Sequence, residues 1–239
     1  MNAAAGAFRL VVFDWDGTLI DSIASIVGCT RCAFEELGLP APPEEQIRGA
    51  IGLGLGDTMR RFFPDAGADL RQRVREAYGR HWVGTWHARH APFPPAETTL
   101  AHLERAGYLL AVATAKSRRG LERDFERTGL GRYFAASRTT DEAAAKPSPA
   151  MVLELMRELG AGADATLVVG DTSWDLEMAA AAGAAAVAVC CGAQDRQQLL
   201  RCRPLALLDG VHELPRWLAE RGGAAAPCPA AQGGVSGSG

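Results

Sequence analysis

Lysine is nearly absent from this chain: of 25 basic residues in 239, only Lys116 and Lys146 are lysines. In so Arg-biased a composition each remaining lysine is informative, because a compact ammonium can do what a planar guanidinium fork cannot. A charge excess is missing too. With 28 acidic residues the net charge is −3, and the pI near 6.0 leaves no basic footprint for nucleic acid or anionic lipid. No apolar run approaches the ~18 residues of a membrane-spanning helix, since acidic residues or Arg interrupt each one. Arg9 is the only basic residue ahead of Asp14, so a secretory signal does not fit and the expected compartment is the cytoplasm. Six cysteines are too few and too scattered for a disulfide framework. Cys29 and Cys32 form a C-x-x-C with no second pair or His at metal-site spacing, and Cys190–Cys191 end an apolar run. Packing is the expected role of all of them.

What remains is the composition of an ordinary globular protein, 48% hydrophobic and 22% charged, able to bury a core. The apolar run 8–13 reads as a buried strand that ends in Asp14. From residue 21 the period becomes helical, with Ile23, Ile26, Val27, Ala33, Phe34 and Leu37 on one face and Asp21 or Ser22 able to cap the start. A Gly-rich turn (Gly52, Gly54, Gly56) and Arg/aromatic helical segments follow, and Pro92, Pro94 and Pro95 close the stretch. Residues 20–91 therefore read as a helical insert. Beyond it strands at 108–113, 166–169, 184–189 and 205–208 alternate with helices at 100–105, 118–128, 151–159, 176–182 and 212–220. That alternation predicts an α/β fold, a Rossmann-like parallel sheet with helices on both faces. From residue 222 the chain is Gly, Ala, Pro and Ser, the composition of a disordered tail.

Ligands of such sheets sit at the carboxyl ends of the strands. The first strand tip carries Asp14-Trp15-Asp16-Gly17-Thr18, a later one Thr114, and another Gly170-Asp171-Thr172-Ser173-Trp174-Asp175; Lys146 precedes a helix. Crowded carboxylates are costly unless a cation offsets them, and hard oxygen donors suit Mg²⁺. Each residue also has a plainer reading. Asp16-Gly17 is a common turn pair, Asp175 fits the third position of a capping box begun by Thr172, and Ser117 or Ser148 can cap helices.

Taken in chain order, Asp14-Trp15-Asp16-Gly17-Thr18, Thr114, Lys146 and Gly170-Asp171-x-x-x-Asp175 resemble the four motifs of the haloacid dehalogenase superfamily. The insert after the first resembles that of its helical-cap, phosphoglycolate phosphatase-like subclass. The resemblance spans about 1–221. It implies a phosphatase core of 1–19 and 92–221, a helical cap of 20–91, and a Mg²⁺-dependent phosphatase acting on a small phosphorylated metabolite through an aspartyl-phosphate. On it, Asp14 is the nucleophile and Asp16 the general acid and base. Mg²⁺ is held by the Asp14 carboxylate, the Asp16 carbonyl and Asp171, and Asp175 orients a metal-bound water. Thr114 and Lys146 bind the phosphoryl group. A monomer or homodimer with no nucleic-acid or membrane partner is expected.

Three positions depart from the usual pattern. Trp15 replaces a smaller apolar residue and is expected to point away from the site, Ala115 leaves phosphate contacts there to the backbone, and Phe93-Pro94-Pro95 stiffens the return from the insert. Asp16 argues against dehalogenation, and the absence of lysine from 20–91 argues against phosphonate cleavage. A sugar phosphomutase of the same superfamily, or a non-catalytic phosphate-ligand binding module, stays open as the alternative. In the insert, Arg48, Arg60 and Arg61 are candidate phosphate or carboxylate contacts, although most arginines on such helices are solvated surface; the Gly-rich turn either faces the site or is a plain flexible turn, and His81, His87 and His90 read as packing or surface residues.

Overall fold

The computed structural model describes residues 8–221; the tail expected from 222 lies outside them. Six parallel strands form one sheet. In chain order they are β1 (Leu10–Phe13), β4 (Leu109–Ala113), β5 (Ala136–Arg138), β6 (Thr166–Gly170), β7 (Ala185–Val189) and β8 (Ala206–Leu208), arranged β5-β4-β1-β6-β7-β8. β1 lies at the centre, and its four residues are wholly buried because helices cover both faces. Alternation decides which side chain goes where. Val11 and Phe13 point to one face, packing with Leu100 and Leu103 of α5 (Ala96–Arg105), Leu121 of α6 (Arg118–Thr128) and Leu214 of α10 (Leu214–Glu220). Leu10 and Val12 point to the other, against Met151, Val152 and Leu155 of α7 (Ala150–Leu159) and Met178 and Ala179 of α8 (Ser173–Ala181).

The expected strands and helices of the sheet region are present, most within two residues of their predicted ends. One strand and one α-helix of that region went unread. β5 is a three-residue, half-buried edge strand without an apolar run, and α9 (Arg196–Arg201) is a six-residue helix too short to display a period. Helix α7 starts at Ala150; its N-cap position is Pro149, and Ser148, expected to cap it, accepts the Ala150 N–H at 3.4 Å.

A second, antiparallel pair, β2 (Ile20–Asp21) and β3 (Ala91–Pro92), joins the two ends of the inserted stretch. Between them run α1 (Ile23–Glu36), α2 (Glu44–Ala50), α3 (Leu55–Phe62), α4 (Ala68–His81) and a π-helical turn at Trp82–Trp86. These helices have an apolar centre of their own in Phe34, Met59 and Val74. Gly56 belongs to α3 rather than to the turn that was expected to contain it. Ser22 does occupy the N-cap position of α1, but its side chain makes no cap bond. Its hydroxyl donates instead to Asp16 Oδ1 at 2.7 Å.

Candidate active site

Parallel register brings the sequence-predicted residues together. Phe13 is level with Val112 on one side and Val169 on the other, so β1, β4 and β6 run out at one edge and present Asp14, Thr114 and Asp171 there. The Asp14 N–H donates to the Val169 carbonyl at 2.9 Å, which extends the pairing one residue beyond the strand. Carboxylate oxygens of Asp14, Asp171 and Asp175 all lie within 4.8 Å of one another, and the three residues are buried.

Lys146 lies among these acids with a fully buried side chain, its Nζ 2.6 Å from Asp14 Oδ1 and 2.6 Å from Asp175 Oδ1. Burial opposes a charged lysine, but the two carboxylates outweigh it and hold the ammonium above its ordinary range. Asp14 Oδ1 also accepts the Trp15 N–H at 2.6 Å. Burial pushes the Asp14 carboxyl well above its usual range and Asp175 adds to the push, while Lys146 draws it back. Burial likewise raises Asp171 to about 7, with Asp175 again contributing. Three acids so placed have one lysine for compensation, and hard oxygen donors in this number fit a divalent cation.

Asp171 is aimed by its own contacts: Oδ1 accepts from the Thr18 hydroxyl at 2.9 Å and Oδ2 from the Ala193 N–H at 2.7 Å. Backbone passes close on both sides. A Cβ at Gly17, whose φ is +81°, would sit 2.3 Å from Asp171 Oδ2, and one at Gly192 would sit 2.0 Å from it. Only glycine leaves that carboxylate its place. Asp175 satisfies the plain and the functional reading together. Its Oδ2 accepts from the Thr172 N–H (3.1 Å) and hydroxyl (2.6 Å) in a capping box, and its Oδ1 faces Lys146.

Asp16 is not brought into this cluster. It follows β1 in a turn, where Ser22 and Lys116 hold it; Lys116 Nζ lies 3.1 Å from Oδ1 and 3.0 Å from Oδ2. Asp14, Asp16, Thr114 and Lys116 line one cavity of about 600 Å³, which Gly52 and Trp82 of the insert close from the other side. Thr114 is buried, and its hydroxyl oxygen accepts the Lys116 N–H at 3.3 Å. Trp15 does point away: its fully buried ring packs edge-on against Phe125 and its Nε1 donates to Asp124 Oδ2 at 2.9 Å.

Sequence reasoning assigned no role to Lys116 or Asp124 and missed the use of Ser22. Only the scarcity of lysine had pointed to Lys116. The three candidate arginines have partners within the protein. Arg48 donates to the carbonyls of Gly192 (2.9 Å) and Ala193 (3.2 Å), Arg60 pairs with Asp57, and Arg61 lies over the Trp174 ring at 5.8 Å. His90 is buried, its Nε2 3.6 Å from Asp124.

Residues 11–189 match the model of the haloacid dehalogenase-like hydrolases. The chain belongs to that family. Among haloacid dehalogenase-like relatives it is 37% identical over 213 residues to the "Probable phosphatase IndB" of Dickeya dadantii, covering 86% of this chain and 91% of that protein. To a phosphoglycolate phosphatase of Mesorhizobium japonicum it is 32% identical over 217 residues, covering 89% and 95%. A solved hydrolase from Pseudomonas syringae superposes with a TM-score of 0.81 over 90% of this chain and 99% of that one, at 23% identity. At that identity the likeness is one of fold.

Proposed function

We propose that this chain is a Mg²⁺-dependent phosphatase of small phosphorylated metabolites, working through an aspartyl-phosphate. The observation that carries the reading is the pairing of Asp14 with Lys146 at 2.6 Å, Asp14 lining a cavity that also reaches Asp16 and Thr114. It is supported by the phosphatase names of the two relatives. The division that goes with it is a core of 1–19 and 92–221 and a cap of 20–91.

Asp14 attacks phosphorus, forming an O–P bond as the bond to the substrate oxygen breaks. Asp16 gives its proton to that leaving oxygen. As a carboxylate it then takes a proton from the water that attacks the acyl phosphate, releasing inorganic phosphate and free Asp14. Lys146 offsets the charge gathered on Asp14 and the phosphoryl oxygens, and Thr114 donates to one of those oxygens. Asp14, Asp171 and the Asp16 carbonyl would hold Mg²⁺, with Asp175 beside them fixed between Thr172 and Lys146. The cation supplies charge neutralisation that lets Asp14 stay ionised and polarises the phosphoryl group.

A cavity of about 600 Å³ has the size of a small-molecule site. A phosphoglycolate-like ester fits it; a phosphorylated protein segment does not. The test is phosphate release from a panel of small esters and from a phosphopeptide, with Mg²⁺ or with EDTA. Mg²⁺-dependent release from small esters, at least about a hundredfold over the peptide, is expected. Equal rates with EDTA, or a preference for the peptide, would contradict the proposal.

A further inference from the structure

The second lysine is as deliberately placed as the first. Lys116 Nζ bonds both oxygens of Asp16 and lies 3.1 Å from Asp124 Oδ2. Asp124 is itself anchored: it accepts the Trp15 indole N–H, and Arg127 (3.5 Å) and His90 (3.6 Å) lie beside its other oxygen. Because Trp15 and Asp16 are neighbours in sequence, these bonds close a ring from Trp15 to Asp124, to Lys116, to Asp16 and back through the chain. Trp82 of the insert covers the ammonium from above, its ring centroid 4.9 Å away.

Ser22 alone would bond one Asp16 oxygen and leave the carboxyl plane free to turn. An ammonium bonded to both oxygens fixes that plane, and its third donor reaches a second carboxylate out of line with the first. Three donors in a tetrahedral array suit this task; a planar guanidinium fork suits one carboxylate. Here the Arg-biased composition keeps a lysine for a geometric reason.

We propose that Lys116 is a positioning residue for Asp16: anchored by Asp124 and covered by Trp82, it holds the general acid in the orientation that delivers a proton to the leaving oxygen. This rests on the phosphatase reading above. When one Asp16 oxygen carries that proton, the other keeps its bond to an ammonium that Asp124 holds in place.

The experiment compares kcat/KM, which covers the steps up to loss of the alcohol, for an alkyl phosphate and for 4-nitrophenyl phosphate. The alkyl oxygen needs its proton, whereas nitrophenolate leaves without one. Lys116→Met is expected to lower kcat/KM for the alkyl ester about a hundredfold, and by a factor at least about ten times smaller for the nitrophenyl ester. Lys116→Arg should restore neither the rate nor the ratio. In an Asp16→Asn background Lys116→Met should cost less than about threefold, because the group it positions is already disabled. Equal losses on both esters, full additivity with Asp16→Asn, or rescue by arginine would overturn the proposal. Should Lys116→Met fail to fold, Asp124→Asn removes the anchor and is read the same way, with a smaller loss expected. Failure of the wild type to hydrolyse either ester, or hydrolysis that survives Asp14→Asn, would instead remove the phosphatase reading itself.

Discussion

Each of the chain's two lysines lies between two carboxylates, yet the two sites differ. Lys146 is sealed, with its own side chain and that of Asp175 at 0% exposure, and it pairs residues delivered by strand tips. Lys116 is 9% exposed, faces the cavity, and pairs a turn residue with one on the inner face of a helix. A buried charge that loses its partner costs far more than one that water can reach. The first lysine is therefore as much a matter of folding as of chemistry, and the second mainly one of geometry.

That contrast is breakable. Lys146→Met leaves Asp14 and Asp175 buried without compensation. It should cost about 3–5 kcal/mol in denaturant unfolding measured at neutral pH without Mg²⁺, and abolish phosphate release. Lys116→Met removes a partner from Asp16, which water reaches, while Asp124 keeps Trp15 and Arg127, so its unfolding cost should be about 1–2 kcal/mol. If the two losses were equal, the distinction between the sealed and the open lysine would fail.

A pH series sharpens the sealed side. Asp171, raised to about 7, binds a proton in the folded protein that it would not hold unfolded. Its contribution to the stability of the metal-free protein is therefore present at low pH and is lost as pH rises from about 4 through about 7. A cation competes with that proton, so the rise in melting temperature caused by Mg²⁺ should grow from about pH 5.5 to about pH 8. A rise independent of pH would detach Asp171 from metal binding.

On the open side, burial alone would raise Asp124, but the adjacent His90, the charge of Lys116 and the bond from Trp15 hold it well below the usual carboxylate range. Its stabilising contribution is thus full above about pH 4 and is lost progressively as pH falls below that. The smallest effect is expected at Arg48, whose two bonds to the Gly192 and Ala193 carbonyls join the insert to the loop that aims Asp171. Arg48→Ala should cost about 1 kcal/mol, a fall of about 2–4 °C in melting temperature by calorimetry.

The sealed side was readable in the sequence and the open side largely was not, for a physical reason. Strand tips announce themselves: a buried run such as 10–13 must stop, and the polar residue that stops it lies at the sheet edge where parallel register gathers the other tips. Lys146 and Asp175 came with the motifs, and Asp175's capping box is a local pattern. Asp124 gives no such signal. It lies in the charged helix α6, and nothing in the 3.6-residue period distinguishes an acid turned toward a buried indole from one turned toward water. Ser22 looked like a helix cap because it occupies the cap position, but the nearby Asp16 carboxylate claims its hydroxyl. Arg48, Arg60 and Arg61 stayed between anion contact and solvated surface because charge is visible in a sequence while direction is not. β5 and α9 escaped because a three-residue edge strand and a six-residue helix each span fewer than two repeats of the period that would identify them.

The central claim is that Asp14 forms the bond to phosphorus. It is tested most directly by replacing that one oxygen with nitrogen and measuring steady-state phosphate release from the best small ester at saturating Mg²⁺. Asp14→Asn keeps the shape of the side chain, and the account predicts that it folds and loses at least about a thousandfold in kcat. A variant that keeps more than about a tenth of the wild-type rate would contradict the aspartyl-phosphate route and the role given to the Asp14–Lys146 pair.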